Sequence, residues 1–349
     1  MLSLPSSSVR IRKGRVAARI VRAPAAAVLV LTLALACSKD APMPTPPEPD
    51  AGVPSERALV PLRAPRGLDP KRVALGAELF GEARLSGDGR TACSSCHDLQ
   101  RAGVDGLAHS RGPTDHPSGL NAPTVFNAGL NFRQFWDGRA SSLEEQIDGP
   151  LLDPDEMASS WERVIATLRA DAHFAALFDG AYADGLKRGN VRDAIATFER
   201  SLATPDSPLD RYLQGDTGAM GAHAARGFVL FTSYGCSACH QGEGVGGNMF
   251  EKLGVMDDYF RDRGHGLEAD LGRFNVTHDD ADRHVFKVPS LRNVARTAPY
   301  FHDGSVATLG EAVSLMARYQ LGRDLDDTDR SDLVAFLESL TGSYQGRPL

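Results

Sequence analysis

Apolar residues recur at helical spacing along most of this 349-residue chain, and the strict alternation that marks strands is scarce. Val73, Leu75, Ala77, Leu79 and Phe80 keep that spacing, as do Trp161, Val164, Ile165 and Leu168, and then Val191, Ala194, Ile195, Phe198 and Leu202. The segment 224–231 is apolar and equally helix-compatible. Further on, Thr308 and Glu311 have the Ser/Thr-x-x-Glu spacing that caps a helix start, and Leu309, Ala312, Val313 and Met316 then share one face. This pattern predicts a mostly α fold with little β. On periodicity alone, Met316 is a core methionine.

Two of these segments, 73–80 and 224–231, run through glycine-containing turns into the same pentapeptide pattern. It is Cys93-Ser94-Ser95-Cys96-His97 in one case and Cys236-Ser237-Ala238-Cys239-His240 in the other. A Cys-x-x-Cys-His unit can bond both vinyl groups of a haem and supply its proximal imidazole. Cys-x-x-Cys without the histidine would equally suit a thiol redox pair or half a zinc site. Disulfides between the neighbouring cysteines would leave both histidines unexplained. Two copies, each ending in His, predict two covalently bound haem c groups, one on Cys93, Cys96 and His97 and one on Cys236, Cys239 and His240. The repeated order of helix, turn and motif describes two cytochrome c-like haem domains packed together, an internal repeat with its boundary near 214–221. His173, His223, His265, His278 and His284 show no ligand spacing.

The fifth cysteine, Cys37, ends an apolar run of about 12 residues that follows Arg10, Arg12, Lys13, Arg15, Arg19 and Arg22. That is shorter than the roughly 20 residues a spanning helix needs. It reads as a signal peptide over 1–36, with Ala34-Leu35-Ala36-Cys37 resembling a bacterial lipobox and Cys37 as the lipidated residue. The alternative is an ordinary secretory signal cut nearby. Both readings export the mature chain to the periplasm, where haem c is attached, and the lipid anchor would be its one membrane contact. The proline-rich stretch from Ser38 to Arg66 reads as a tether. The expected order is therefore a linker over 37–66, an N-terminal haem domain over 67–213 and a C-terminal haem domain over 214–349. Without its first 36 residues the chain keeps 32 basic against 45 acidic residues, a net charge near −13. That balance favours basic partners such as a small cytochrome and disfavours nucleic acid.

Three further stretches carry a resemblance. They are Asn121-Ala122-Pro123-Thr124-Val125-Phe126-Asn127, Gln134-Phe135-Trp136-Asp137-Gly138-Arg139-Ala140, and Phe286-Lys287-Val288-Pro289-Ser290-Leu291-Arg292-Asn293, which continues into Ala298-Pro299-Tyr300-Phe301-His302-Asp303-Gly304. With the two haem motifs in order, the chain from Leu68 to Gly342 resembles the bacterial di-haem cytochrome c peroxidases, within the wider group that includes the methylamine-utilisation MauG enzymes. The resemblance implies that the N-terminal haem, with proximal His97, is the low-potential peroxidatic site. It implies that the C-terminal haem, with proximal His240, is high-potential, with Met316 as sixth ligand; a thioether ligand favours ferrous iron. MauG-type members have Tyr at that position, and Tyr319 is one turn away.

By the same resemblance Trp136 relays electrons between the haems, and Gln146, Pro150 and Glu156 surround the peroxide. Chemistry gives Glu156 a reason of its own, because O–O cleavage requires a proton to pass from one oxygen to the other. As a structural residue, Glu156 would merely stabilise the start of the helix at Trp161. Asn121, Thr297 and Pro299 fall where the family binds calcium, using oxygen ligands that suit a hard cation. The implied reaction is reduction of hydrogen peroxide to water by a reduced small cytochrome c or similar periplasmic donor. Members of the family often form homodimers. One departure stands out: Ser110-Arg111-Gly112-Pro113 places proline where many members carry a histidine that blocks the N-terminal iron. His116 is the candidate replacement ligand after a loop shift, with His109 as a second. Two other function classes stay open, a MauG-like oxidase acting on a protein partner and a plain di-haem electron carrier.

Overall fold

The computed structural model describes residues 58–349 except 115, 117, 118 and 265. The signal peptide, most of the proposed tether and Cys37 lie outside the described residues. Seven longer helices carry the fold: α1 (Pro70–Phe80), α2 (Trp161–Ala170), α3 (Ala172–Ala181), α4 (Arg188–Ser201), α5 (Ala222–Ser233), α6 (Leu309–Leu321) and α7 (Asp327–Glu338). Among the described residues, strands form only two two-stranded sheets. One pairs β1 (Phe250–Lys252) with β2 (Val285–Lys287), antiparallel with Phe250 opposite Lys287.

Local chemistry sets the helix ends. Asp69 caps α1 by accepting from the Lys71 N–H, with Pro70 in the first turn where its missing N–H costs nothing. Ser160 and Asp171 cap α2 and α3 in the same way. Thr308 Oγ1 accepts from the Glu311 N–H, as its spacing predicted, and Gly322 ends α6 in the left-handed region (φ 61°).

Two cores result, and each is built around the same crossing. In the first, α1 meets α4 at Gly76, so closely that a Cβ there would lie 2.0 Å from the Ala194 carbonyl oxygen. In the second, α5 meets α7 at Gly227, where a Cβ would lie 1.9 Å from the Asp332 carbonyl oxygen. Only a residue without a side chain permits either approach. Aromatic pairs seal both crossings, Phe80 with Phe198 at 5.3 Å and Phe231 with Phe336 at 4.9 Å between ring centroids.

The cores do not follow the chain order strictly. Leu59 and Leu62 are buried, Leu59 is bridged to Gly242, and the Leu62 N–H donates to Asp210. Residues 59–62 are therefore part of the folded structure, because two leucines on a short extended segment are buried there. Arg292, itself fully buried in an ion pair with Asp210, donates to the Val60 carbonyl and fixes that segment. At the other end, Tyr344 and Leu349 pack against the first core, with Tyr344 edge-on to Phe126 at 5.0 Å.

The internal repeat extends beyond the haem motifs. Thr124 Oγ1 donates to the Ala102 carbonyl and accepts from the Phe126 N–H; Ser290 Oγ donates to the Gly244 carbonyl and accepts from the Arg292 N–H. Asn127 and Asn293 follow in the left-handed region at φ 62° and 63°, and both donate to Thr204 Oγ1. Next come two matching turns, closed by the Gln134–Ala140 and Tyr300–Val306 bridges, with Phe135 and Phe301 at φ 67° and 69°. In this register Trp136 corresponds to His302, and the caps Ser142 and Thr308 correspond as well.

Candidate haem sites

The N-terminal motif forms one turn of helix, Cys93–Cys96, that delivers His97 into the first core. Its imidazole is buried, which pushes its pKa down, and Nδ1 bonds the Gly103 carbonyl at 3.2 Å. The neutral ring is thereby oriented with Nε2 left for a metal. Gly103 (φ 75°) reaches that position because a side chain there would collide with Thr124. Burial also raises the Cys93 and Cys96 thiols, so neither is a reactive thiolate in the free chain.

The second motif follows Gly235, which is left-handed at φ 94°. His240 is half-buried with its Nδ1 enclosed; burial brings its pKa down to about 4, with the Val245 and Pro289 carbonyls opposing. The neutral ring, its Nδ1 toward those carbonyls, leaves Nε2 for a metal as at His97. It opens on a cavity of about 470 Å³ lined by Cys236, Cys239, Met316, Leu291 and Leu337. Paired thiols, a neutral imidazole, a thioether and mainly apolar walls suit a flat apolar group with one metal, so these residues fit haem c. Tyr319 does not line this cavity; it is buried, and its hydroxyl donates to Asp262 at 3.2 Å.

Trp136 lines the same cavity. Its indole N–H donates to the Asn121 carbonyl at 2.9 Å, and its own carbonyl accepts from the Lys287 N–H at 2.8 Å. The residue is thus pinned from both halves. Asn121, Thr297 and Pro299 line this cavity too. The Asn121 amide group donates to the Leu107 carbonyl. That fixes which end of the side chain is the donor and leaves its oxygen for another partner.

Sequence reasoning passed over His302, the repeat partner of Trp136. The two rings meet edge to face at 6.5 Å. His302 Nε2 lies 2.8 Å from Asp270 Oδ1, and Arg263 bonds both Asp270 and Asp303. Asp270, His302 and Asp303 bring donor atoms close enough to share an ion. Arg263 already supplies the positive charge for both carboxylates. The signal was in the sequence, since Phe-Trp-Asp-Gly and Phe-His-Asp-Gly are one turn used twice.

Gln146 ends a short helix, Leu143–Gln146; Pro150 lies in the next, Asp148–Leu152; and Glu156 follows on a turn held by the Met157 N–H donating to the Pro150 carbonyl. Burial holds the Glu156 carboxyl above the usual carboxylate range, with Asp153 adding and Arg139 opposing. The Cys96 thiol is within electrostatic reach of Glu156, so this carboxyl lies near the N-terminal motif. Pro150 stands at the same distance from its cap, Ser142, as Met316 does from Thr308. The N-terminal repeat therefore has a side chain with no ligand atom where its counterpart has a thioether.

Residues 112–114 run against residues 155 and 156; a Cβ on Gly112 would lie 2.1 Å from the Asp155 carbonyl oxygen. His116 is turned to solvent, its side chain 78% exposed and 3.5 Å from Asp155, so the structure does not bring it to the site. The Thr114 hydroxyl, which bonds the same Asp155, holds the loop in that course. His109 differs in that its Nδ1 is buried and without a hydrogen-bond partner among the described residues.

Comparison with known proteins agrees with this geometry. Residues 70–218 match the family model for di-haem cytochrome c peroxidase, and residues 224–341 match that for cytochrome c. The chain is 48% identical over 277 residues to cytochrome c peroxidase Ccp of Escherichia coli, covering 79% of this chain and 59% of that protein. It is 41% identical over 283 residues to cytochrome c551 peroxidase of Nitrosomonas europaea, covering 81% of this chain and 83% of that one. Among solved structures, a MauG-like protein associated with microbial copper homeostasis superposes with a TM-score of 0.71 at 31% identity, covering 82% of this chain and 94% of that one. The chain belongs to the di-haem cytochrome c peroxidase family, whose members carry two c-type haems.

Proposed function

We propose that this protein reduces hydrogen peroxide to water at its N-terminal haem, using electrons that enter from a reduced small cytochrome c at its C-terminal haem. The observation that carries this division is the pairing of Pro150 with Met316 at equivalent places in the two repeats. When bound, the haems supply two one-electron couples and an iron at which the O–O bond is cleaved. His97 and His240 would each supply an imidazole to a haem iron, and Met316 a thioether to the C-terminal one. Glu156, kept protonatable by burial, takes a proton from one peroxide oxygen and returns it to the leaving one, while Gln146 offers an amide to orient the peroxide. Trp136 offers a π-system held between the halves by Asn121 and Lys287.

Asn121, through its side-chain oxygen, and Thr297 and Pro299, through their carbonyls, are the proposed calcium ligands. The family resemblance supports that assignment, and loss of turnover on chelation, restored by calcium, is the expected test. Export to the periplasm, lipidation at Cys37 and a homodimer belong to the same reading. The acidic balance of the mature chain fits a basic electron donor. The position of Met316 in the cavity, with Tyr319 bonded elsewhere, favours a peroxidase over a MauG-like oxidase acting on a protein.

The deciding experiment compares peroxide-dependent oxidation of reduced cytochrome c by calcium-loaded protein in its fully oxidised and half-reduced forms. Turnover in the fully oxidised form is expected, because Pro113 and Pro150 leave the N-terminal distal side without a ligand. Turnover only after half-reduction would assign a blocking ligand to His109. No turnover in either form would overturn the peroxidase reading in favour of an electron carrier.

A further inference from the structure

Lys287 is 5% exposed, on the last residue of β2, and lines the C-terminal haem cavity. Among the described residues its ammonium makes no ion pair or hydrogen bond, and burial alone pushes its pKa down to about 8. A lone buried cation is costly, and such groups are retained where something anionic meets them. The repeat shows what kind of place this is. Lys287 stands two residues before Pro289, as Asn121 stands two residues before Pro123. Each donates its backbone N–H at 2.8 Å across to the other repeat, Asn121 to the His302 carbonyl and Lys287 to the Trp136 carbonyl. Trp136 and His302 are themselves counterparts, so the two bonds form one reciprocal exchange. In the N-terminal repeat that position carries an amide that can ligate a cation; in the C-terminal repeat the cation is part of the side chain.

We infer that Lys287 is the fixed counter-cation of a haem propionate at the C-terminal site, placed beside Trp136, and that it raises the potential of that haem. The propionates are the anionic part of haem c; Glu251 also lines the cavity, but no ion pair joins it to Lys287. A positive charge within the same low-dielectric cavity stabilises the ferrous state, which carries one positive charge fewer than the ferric. The proposal rests on haem attachment at Cys236 and Cys239 and on no other part of the proposed mechanism.

The test is spectroelectrochemical titration of both haems in wild-type protein, Lys287→Met and Lys287→Arg, with haem content measured in parallel. Lys287→Met is expected to lower the C-terminal midpoint potential by at least a tenfold change in the reduction equilibrium, about 59 mV for one electron. The N-terminal potential should stay in place, and Lys287→Arg should restore the wild-type value. An unchanged C-terminal potential in Lys287→Met with both haems attached overturns the proposal. Loss of the C-terminal haem from Lys287→Met but not from Lys287→Arg supports it, because only charge separates the two; loss from both overturns it in favour of a role in shape. Peroxide turnover enters neither readout, so failure here leaves the peroxidase reading standing.

Discussion

The two haem lobes use one plan and differ where a ligand would meet iron. Both place a helix before Cys-x-x-Cys-His, cross it with the last helix of the lobe at a glycine, and return through a Pro-Thr or Pro-Ser turn to a left-handed asparagine. The helix that follows is the point of divergence. In the C-terminal lobe it is continuous over Leu309–Leu321 and presents Met316; in the N-terminal lobe it breaks into Leu143–Gln146 and Asp148–Leu152 and presents Pro150. A duplicated fold can thus be split into an electron store and a reaction site by changing one element, while the crossing that makes each lobe stable stays the same.

The largest effect should come from the chemistry peculiar to the N-terminal lobe. Glu156→Gln is expected to cut peroxide turnover by about 10²–10⁴-fold with both haem spectra unchanged; stopped-flow oxidation of reduced cytochrome c would show it, and near-wild-type turnover would remove Glu156 from the mechanism. Pro150→Met tests the divergence directly. By giving the N-terminal lobe the side chain of its counterpart it should convert the oxidised N-terminal haem to a six-coordinate, low-spin form and abolish peroxide binding, as read by electron paramagnetic resonance. Persistence of a five-coordinate signal would mean that the equivalence of the two positions does not extend to the iron.

The shared part of the plan predicts equal damage in the two lobes. Gly76→Ala and Gly227→Ala each press a methyl group onto a backbone carbonyl, so each should destabilise its lobe by about 3 kcal/mol or more. Thermal unfolding would register both, and a mild effect in one lobe alone would break the symmetry of the crossings.

A pH-dependent effect belongs to the N-terminal lobe alone. Glu199 on α4 is 6% exposed, its Oε2 has no partner, and burial, with Glu144 adding and Arg200 opposing, raises its pKa from 4.5 to about 8. Between those values the unfolded chain has released a proton that the folded chain keeps. This group's contribution is thus fully present below about pH 4.5 and is lost as the pH rises through about 8, at a slope of at most about 1.4 kcal/mol per pH unit. Glu199→Gln should flatten that part of the stability profile in denaturant titrations at pH 5, 6.5 and 8; an unchanged slope would show that Glu199 is ionised in the folded protein.

Much of this was legible in the chain. The apolar spacing of Trp161 to Leu168 and of Val191 to Leu202 became α2 and α4, because long amphipathic periods leave a helix little alternative. The haem motifs announced themselves through covalent chemistry that needs a fixed local spacing. What escaped notice depended on contacts between distant segments. Leu59 and Leu62 sit in a proline-rich run whose composition reads as tether, and only the bridge to Gly242 and the bond to Asp210 bring them into the fold. Lys287 and His302 look like ordinary members of longer strings until the repeat is laid over itself and each is found opposite Asn121 or Trp136. His116 has the residue type a ligand needs, but its loop is tied to Asp155 and carries it outward.

The chain ends lodge crosswise: residues 59–62 complete the C-terminal core, while Tyr344 and Leu349 lie on the N-terminal one. A gene cut between the repeats, near residue 214, would therefore give two fragments that each lack a piece of their own interior and carry a piece of the other's. Such halves would be poor stand-alone cytochromes and good partners for reassembly.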